Sequence, residues 1–483
     1  MRYRFILLLL LSCNSLAQTT VYQPFDVDST AQARGGAAFL NTFIQTNLRK
    51  PVAVEAQGLG GRVVVSGIVE PDGSVSGVKT MNNLRPDCDR EAVRVFSLFK
   101  AWKPAQKDGK AVRQQVTFPV MFGSNVPFTY IGGAKIKYFD VDNKMITDSS
   151  LAHYKQVAPV DTNGIPTGDV VVYETKSNRW KESYRLPFVR KKSDDTRVVN
   201  KTLYAIGNQN YQQKWEGPWF LLDEANALVR SVYYENGKRF GTELSYHPNG
   251  VVAEKKDKPY DRAASMTWYM NGQVKEIKSA DDPSFPGQGD PEQVMSVWDS
   301  TGHQNVSYGE GHATYQTRVK SKSDSTQHTL FVEQGSYENG SRQGTWTGRY
   351  VDGSFYCEEQ YDKGICTNGK SKTAGADTVR YSVFEQLPEF LGGMQELGKF
   401  LSQNLSYPVT AQKARVQGMV IVSFVVCTDG TLCDYEVVKS VQPDLDREAM
   451  RVVKKMSGRW KAGILRGEKV RVKYNLPINF TLN

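Results

Sequence analysis

The last hundred residues show hydrophobic patterns that predict a small set of strands. From Gly418 to Val426 the residues alternate as in a half-buried strand, Asp429-Gly430 supplies a turn, and Cys433 to Val438 returns as the hairpin partner. Val470 to Phe480 places an apolar residue at every second position, which predicts a third strand with one buried face.

Two helices complete this pattern. Pro443-Asp444 predicts a helix start with Asp444 as the N-cap. Four following residues lie at helical spacing and form one apolar stripe: Ala449, Val452, Val453 and Met456. Met394 to Leu405 reads as a short upstream helix. The order helix, hairpin, helix and strand predicts an α+β domain of about 90 to 100 residues.

The same pattern occurs near the start of the chain. Residues 35–122 match residues 392–480. The spacing is 357 residues, as between Gly61 and Gly418, and one residue is inserted late in the second copy. Shared features include Gly-Gly before the first helix, Asp-Gly in the hairpin, Asp-Arg-Glu-Ala in the second helix, and Trp-Lys after it. We therefore predict two copies of one domain, named copy one and copy two.

Both copies resemble the C-terminal domain of TonB. The resemblance rests on Val420 to Val426, Asp-Gly, Asp446-Arg447-Glu448-Ala449, Trp460-Lys461 and Leu476 to Phe480, and it covers nearly all of both terminal domains and nothing between them. The lead-in Leu387 to Gly393 looks like the form that this domain takes in Bacteroidetes. Copy one lacks the Pro-Glu of that lead-in, so a partner site there is less well supported.

The resemblance implies a way of binding. TonB-family domains capture an extended peptide of an outer-membrane transporter by adding it as a strand beside their last strand. Carried over by position, the backbone of five residues forms the peptide-pairing edge of copy two: Arg471, Val472, Lys473, Tyr474 and Asn475. Pro477 cannot donate a ladder hydrogen bond and favours an edge position. The alternative is that this edge pairs with a second molecule or with the other copy.

The first residues are typical of a signal peptide. Met-Arg-Tyr-Arg precedes the apolar run Phe5 to Leu11, and a small-residue cleavage site ends at Ala17. This run is too short to remain as a membrane anchor. We expect cleavage of residues 1–17 and a location in the periplasm or cell envelope. An alternative is a lipoprotein acylated at Cys13.

The region between the copies is predicted to be β-structure. Asn-Gly turns recur, and the segment Gly340 to Tyr350 resembles a repeat of the membrane-occupation-and-recognition-nexus type, abbreviated MORN. The predicted organisation is a signal peptide (1–17), copy one (18–125), a β-rich region of unknown type (126–229), MORN-like hairpins (230–375) and copy two (376–483). The fold class is therefore α+β, with two TonB-like domains flanking an all-β hairpin array.

Five cysteines remain after the signal peptide. Cys427 and Cys433 flank a predicted three-residue loop that would place their sulfurs opposite each other, and Cys357 and Cys366 bracket a second candidate turn. These are two candidate disulfides for an exported protein. The alternative is that all five are small buried residues.

Catalytic and ligand-binding motifs are missing from the sequence. The five histidines lie between the copies without metalloprotease spacing, and neither a nucleophile elbow nor a phosphate-binding loop occurs. We expect no catalytic residues, metal or cofactor. The net charge of +10 is scattered among acids, and together with export this argues against a nucleic-acid partner.

The predicted function is that of an envelope adaptor. It would bind peptide segments of outer-membrane transporters or other envelope proteins, with the hairpin array as a spacer. One alternative is an energy transducer for TonB-dependent transport that retains its N-terminal segment as an anchor. Another is a self-assembling structural protein, a homo-oligomer built through exposed edge strands.

Overall fold

The computed structural model describes residues 20–177, 179–193, 202–258, 264–279 and 293–482. The predicted signal peptide, its cleavage site at Ala17 and the lipidation candidate Cys13 lie outside the described residues. The chain divides into two compact units, the first ending at Ser307 and the second beginning at Tyr308. Within the described residues, no helix is long and apolar enough to cross a membrane.

Copy one, in the first unit, places two long helices on a mixed sheet. The sheet has the order β1-β7-β3-β4, β6 also pairs with β7, and β2 pairs with β5. The elements are β1 (Val21–Tyr22), β2 (Gln32–Ala33), α1 (Gly36–Asn47), α2 (Val52–Ala56), β3 (Gly61–Val69), β4 (Val75–Thr80), α3 (Pro86–Leu98), β5 (Trp102–Lys103), β6 (Ala105–Lys107) and β7 (Lys110–Phe122).

A second sheet follows, in the region predicted to be β-rich. Its order is β10-β9-β11-β12-β13, and β8 also pairs with β9. The strands are β8 (Thr129–Ile131), β9 (Ala134–Phe139), β10 (Met145–Ile146), β11 (Tyr154–Pro159), β12 (Val170–Lys176) and β13 (Arg179–Leu186).

The rest of the first unit is a series of strands in which each pairs with the next. They are β14 (Phe188–Ser193), β15 (Leu203–Gln209), β16 (Trp215–Asp223), β17 (Leu228–Glu235), β18 (Lys238–Tyr246), β19 (Val252–Lys258), β20 (Ala264–Trp268), β21 (Val274–Ser279), β22 (Gln293–Trp298) and β23 (Gln304–Ser307). This pairing begins at Phe188. The turn between β15 and β16 lacks the Asn-Gly pair that marks the later hairpins.

Copy one shares a hydrophobic core with the turns of these hairpins. Phe39 on α1 lies edge-on to Trp298, with ring centroids 5.3 Å apart. Asn47, at the end of α1, is buried and accepts a hydrogen bond from the Val252 backbone at 2.7 Å. Gly272 lies so close to Phe43 that a side chain there would collide with the ring. The helix face of copy one is therefore covered within the first unit.

The second unit opens with further consecutive antiparallel strands. They are β24 (Glu310–Lys320), β25 (His328–Glu338), β26 (Ser341–Tyr350), β27 (Phe355–Asp362), β28 (Ile365–Thr373) and β29 (Val379–Tyr381). Trp346 is buried among Tyr315, Tyr337 and Tyr361, so the aromatic residues of this segment pack between neighbouring hairpins.

Copy two completes the second unit and repeats the elements of copy one. They are β30 (Glu385–Gln386), β31 (Glu389–Phe390), α4 (Gly393–Asn404), α5 (Val409–Lys413), β32 (Gly418–Val426), β33 (Leu432–Lys439), α6 (Pro443–Lys454), β34 (Trp460–Lys461), β35 (Gly463–Leu465), β36 (Glu468–Val470) and β37 (Val472–Phe480). The strand orders are β33-β32-β37, β30-β35-β36 and β31-β34. All four residues of the predicted helical stripe are fully buried against the sheet.

Two local predictions differ from the structure. The N-cap of α6 is Gln442, and Pro443 occupies the first turn, so Asp444 lies inside the helix. The neighbouring Asp446 instead accepts a hydrogen bond from the Val441 backbone at 3.1 Å. The predicted last strand is divided into β36 and β37 at Arg471, because β36 turns back to pair with β35.

Gly430 in the β32–β33 turn cannot carry a side chain without strain. Its φ is +82°, and a Cβ atom would collide with the carbonyl oxygen of Trp460. Gly458 in the same domain has a φ of +80° but open space around it. We expect Gly458→Ala to lower the free energy of unfolding by about 1 kcal/mol, and Gly430→Ala by at least about 2 kcal/mol more. Chemical denaturation measures both, and equal losses would contradict the collision.

Candidate functional site

The last strand of copy two lies at the edge of its sheet. β37 pairs with β32 along its whole length, from Val472 opposite Val426 to Phe480 opposite Gly418. In the part of the chain that the structure describes, no strand pairs with the other side of β37. Of the five predicted edge residues, Val472, Lys473, Tyr474 and Asn475 belong to β37, and Arg471 directly precedes it.

The position of Pro477 indicates which backbone groups face this open edge. In an antiparallel ladder, successive residues direct their N–H and C=O groups alternately towards and away from the partner strand. Pro477 has no N–H and fits a position that faces away from β32. No register shift interrupts the pairing of β37. Lys473 and Asn475 lie four and two residues before Pro477, so they have the same orientation in the ladder. We infer that their backbone groups also face outward.

A groove of about 360 Å³ runs beside this edge. Its floor includes Tyr474 and Trp460, whose ring centroids lie 4.9 Å apart. Its rim carries Leu387 and Met394, whose side chains are 67% and 72% exposed. The remaining lining residues are Gln386, Pro388, Glu389, Phe390 and Leu397. The groove is therefore suited to an apolar side chain carried by a strand on the edge.

The equivalent edge of copy one is already occupied. β1 pairs with β7 in parallel, with Val21 opposite Arg113 and Tyr22 opposite Gln114. Gln114 pairs with Val69 as Val472 pairs with Val426, so Arg113 and Gln114 correspond to Arg471 and Val472. The N-terminal segment thus covers Arg113 and Gln114 in copy one, whereas no strand of the described chain covers their counterparts Arg471 and Val472 in copy two.

The lead-in of copy two has a different partner. At the repeat spacing, Val21 and Tyr22 correspond to Thr378 and Val379. Val379 begins β29, which pairs with β28 of the hairpin strands of the second unit. Because this segment belongs to another sheet, it does not cover β37.

The structure brings one predicted cysteine pair together and separates the other. The sulfurs of Cys427 and Cys433 lie 2.8 Å apart. Cys357 lies opposite Ser371 and Cys366 opposite Tyr361, so the register does not pair these two thiols. The observed register therefore does not place Cys357 opposite Cys366, because Cys357 lies further from the turn than Cys366.

Arg471 links the cysteine pair to the start of the edge. Its guanidinium donates to Cys433 Sγ at 3.2 Å and to Asp434 Oδ2 at 2.8 Å. The contact with Cys427 raises the pKa of the Cys433 thiol, and the Arg471 hydrogen bond acts in the opposite direction. Among the described residues, no group of three or more His, Cys, Asp or Glu side chains is arranged to hold a metal ion.

Sequence reasoning missed the strand β1 and the groove. A two-residue strand has no measurable periodicity, so Val21–Tyr22 could not be recognised. The exposed Leu387 and Met394 carried a usable signal, because copy one has the smaller residues Thr30 and Ala37 at these positions. That difference could have indicated that the groove of copy two has larger exposed apolar residues at its entrance than the groove of copy one.

Comparison with known proteins supports the relationship of the two copies. The family model described as Gram-negative bacterial TonB protein C-terminal matches residues 48–123 and 403–482. These matches lie in copy one and copy two, and the residues between them are outside the family model. The two matched regions are therefore similar to the TonB C-terminal domain.

Two solved structures are also similar to part of the chain. Both are NMR structures of the C-terminal domain of Helicobacter pylori TonB. One has 25% sequence identity, covers 19% of this chain and 80% of its own, and has a TM-score of 0.16. The other has 26% identity, covers 18% of this chain and 91% of its own, and has a TM-score of 0.15. No curated protein matches the chain.

Proposed function

We propose that this protein is an adaptor of the bacterial cell envelope that binds extended peptide segments of outer-membrane transporters or other envelope proteins. The observation that carries the proposal is the unpaired edge of β37 in copy two, with an apolar groove beside it. An exposed strand edge supplies main-chain hydrogen bonds, and a groove selects the side chain that accompanies them. The proposed role is binding and not catalysis.

Copy one provides the geometry for this binding. Its edge accepts β1 as a parallel strand opposite Arg113 and Gln114. Gln23 and Pro24, which follow β1, line a groove of about 650 Å³ together with Leu40 and Trp102. A peptide on copy two would therefore run parallel to β37, begin its pairing at Arg471 and Val472, and reach the groove with its next residues.

The test is a titration of the purified full chain with labelled synthetic peptides. The peptides are taken from the periplasmic segments of outer-membrane transporters of the source bacterium, and fluorescence anisotropy measures their binding. We expect saturable binding of at least one transporter peptide with one site per chain, and no binding of a peptide with the same composition in scrambled order. Equal binding of the scrambled peptides, or the absence of binding across the set, would overturn the proposal.

Removal of β1 is expected to open a second site. A chain that begins after Tyr22 leaves the backbone of Arg113 and Gln114 without its parallel partner. Isothermal titration calorimetry should then give two peptide sites per chain where the full-length protein gives one. If circular dichroism shows that the truncated protein is folded and the stoichiometry stays at one, β1 does not cover a peptide site.

A further inference from the structure

Cys427 and Cys433 occupy one end of the β32–β33 hairpin, on the side that meets the start of β37. Cys427 closes the turn, with its N–H donating to the Thr431 carbonyl at 2.8 Å, and Cys433 lies opposite Val425. Both side chains are partly exposed, so small molecules in solution can reach them. The two sulfurs are in contact at 2.8 Å and share the guanidinium of Arg471 as a neighbour.

Copy one holds the same place with different chemistry. The residues equivalent to Cys427, Cys433 and Arg471 are Glu70, Ser76 and Arg113. There Arg113 donates two hydrogen bonds to the Glu70 carboxylate, at 2.8 and 3.0 Å, and Ser76 donates a third. This contact lowers the pKa of Glu70. The Arg113–Glu70 ion pair thus connects the hairpin end to the last strand in copy one.

Copy two differs from copy one at two of these three positions. Glu70, which binds the arginine, and Ser76, which donates to Glu70, are both replaced by thiols, while the arginine is kept at the head of the last strand. Glutamate and serine cannot be oxidised under conditions in which thiols form disulfides. The ion pair and hydrogen bonds of copy one therefore do not respond to redox conditions. Two adjacent thiols beside a guanidinium can respond, because a nearby positive charge favours the reactive thiolate.

We propose that Cys427 and Cys433 are a redox pair that interconverts between a dithiol and an intramolecular disulfide. The oxidant is a small-molecule disulfide such as oxidised glutathione. The Cys433 thiolate, beside Arg471, attacks one sulfur of this disulfide, which forms a mixed disulfide and releases one small thiolate. The Cys427 thiolate then attacks the Cys433 sulfur and releases the second. Both protein thiol protons pass to the two released thiolates, so atoms and electrons balance.

The other cysteines of the described chain are poorly placed for this exchange. Cys88 is buried, and burial raises the pKa of its thiol to about 11. Cys357 is also buried, and burial raises the pKa of its thiol to about 12. Cys366 is partly exposed, but its register partner is Tyr361. The predicted redox chemistry is therefore specific to one pair.

Oxidation would change the surroundings of Arg471. In the disulfide the Cys433 sulfur cannot carry negative charge, so Arg471 loses that partner and keeps its ion pair with Asp434. The hairpin end is then closed covalently and no longer depends on the arginine. This inference is independent of the proposed peptide binding, since it concerns the thiols alone.

The test uses the full-length protein equilibrated in buffers with different ratios of reduced and oxidised glutathione. After acid quenching and maleimide labelling, intact mass and peptide mapping locate the remaining thiols. We expect the labels on Cys427 and Cys433 to be lost together and the other labels to remain. We also expect a mass decrease of about 2 Da before labelling and no glutathione adduct. Cys366→Ser should behave in the same way, whereas Cys433→Ser should leave Cys427 labelled or carrying glutathione.

A second measurement separates a redox pair from two thiols that merely touch. Arg471→Ala removes the charge that stabilises the Cys433 thiolate, so the disulfide should persist at a more reducing glutathione ratio than in the unmodified protein. Lys473→Ala, which removes a positive charge two residues further along the chain, should leave the midpoint unchanged. The proposal is overturned if both thiols remain labelled at every ratio, or if oxidised protein contains only glutathione adducts or bonds to Cys366.

Discussion

Replacing Lys473 with proline is expected to weaken binding of a transporter peptide by at least about tenfold. The N–H of Lys473 faces the open edge, because Lys473 has the same orientation in the ladder as Pro477. Proline removes this N–H and places a ring where the peptide backbone must approach. One lost hydrogen bond accounts for about 1 kcal/mol, and the steric effect of the ring adds to it. The ladder to β32 does not use this N–H, so thermal stability should change little.

Lys473→Ala is the matched control, since it removes the exposed side chain and keeps the N–H. Its peptide affinity should stay within about twofold of the unmodified chain. Fluorescence anisotropy measures both variants, and circular dichroism verifies their folding. Wild-type affinity in a folded Lys473→Pro protein would place the peptide elsewhere on the chain.

Replacing Arg466 with methionine is expected to lower the free energy of unfolding of the second unit by about 3–5 kcal/mol. Arg466 lies in the turn between β35 and β36 and donates to Glu359 at 2.6 Å and to Glu333 at 3.0 Å. Glu359 is 1% exposed. Burial lowers the pKa of Arg466, but its bonds and charge contacts with Glu359 and Glu333 outweigh this and leave it raised. Loss of the arginine would leave a buried carboxylate without its cation.

A second substitution tests this explanation. Glu359→Gln in the Arg466→Met background removes the uncompensated charge, so part of the lost stability should return. Tyr361 and Tyr381 donate to different oxygens of Glu359. The glutamine oxygen can accept one of these hydrogen bonds, and its NH2 group can donate to the other tyrosine oxygen. Lys469→Ala, at an exposed position of β36, should change stability by less than about 0.5 kcal/mol. A similar loss for Lys469→Ala and Arg466→Met in thermal unfolding would contradict the buried ion-pair account.

The sequence predicted those parts of copy two in which side-chain periodicity and burial agree. The apolar alternation from Gly418 gives β32 with the predicted bounds, because one face of that strand is fully buried in the core. The stripe from Ala449 to Met456 gives α6 for the same reason. The short helix α5 and the strands between α6 and β37 were missed, since two to five residues carry too little pattern.

Whether the edge strand of each copy is covered or open depends on tertiary contacts, which a local sequence pattern does not predict. Val21–Tyr22 covers copy one, whereas its counterpart at Val379 pairs with β28. The first pairing involves β7, which is distant in the sequence, and the second involves the preceding hairpin strand β28. The repeat alone would predict the same arrangement twice. Cys357 and Cys366 flank a real hairpin, but Cys357 lies further from its turn than Cys366, so their partners are Ser371 and Tyr361.

Hydrogen exchange with and without a bound transporter peptide tests the central claim most directly. The account predicts slower amide exchange at residues 471–475 of copy two when peptide is present, and no change at Arg113 and Gln114 of copy one, where β1 already pairs. Protection at copy one, or at neither edge despite measured binding, would contradict the assignment of β37 as the open peptide edge.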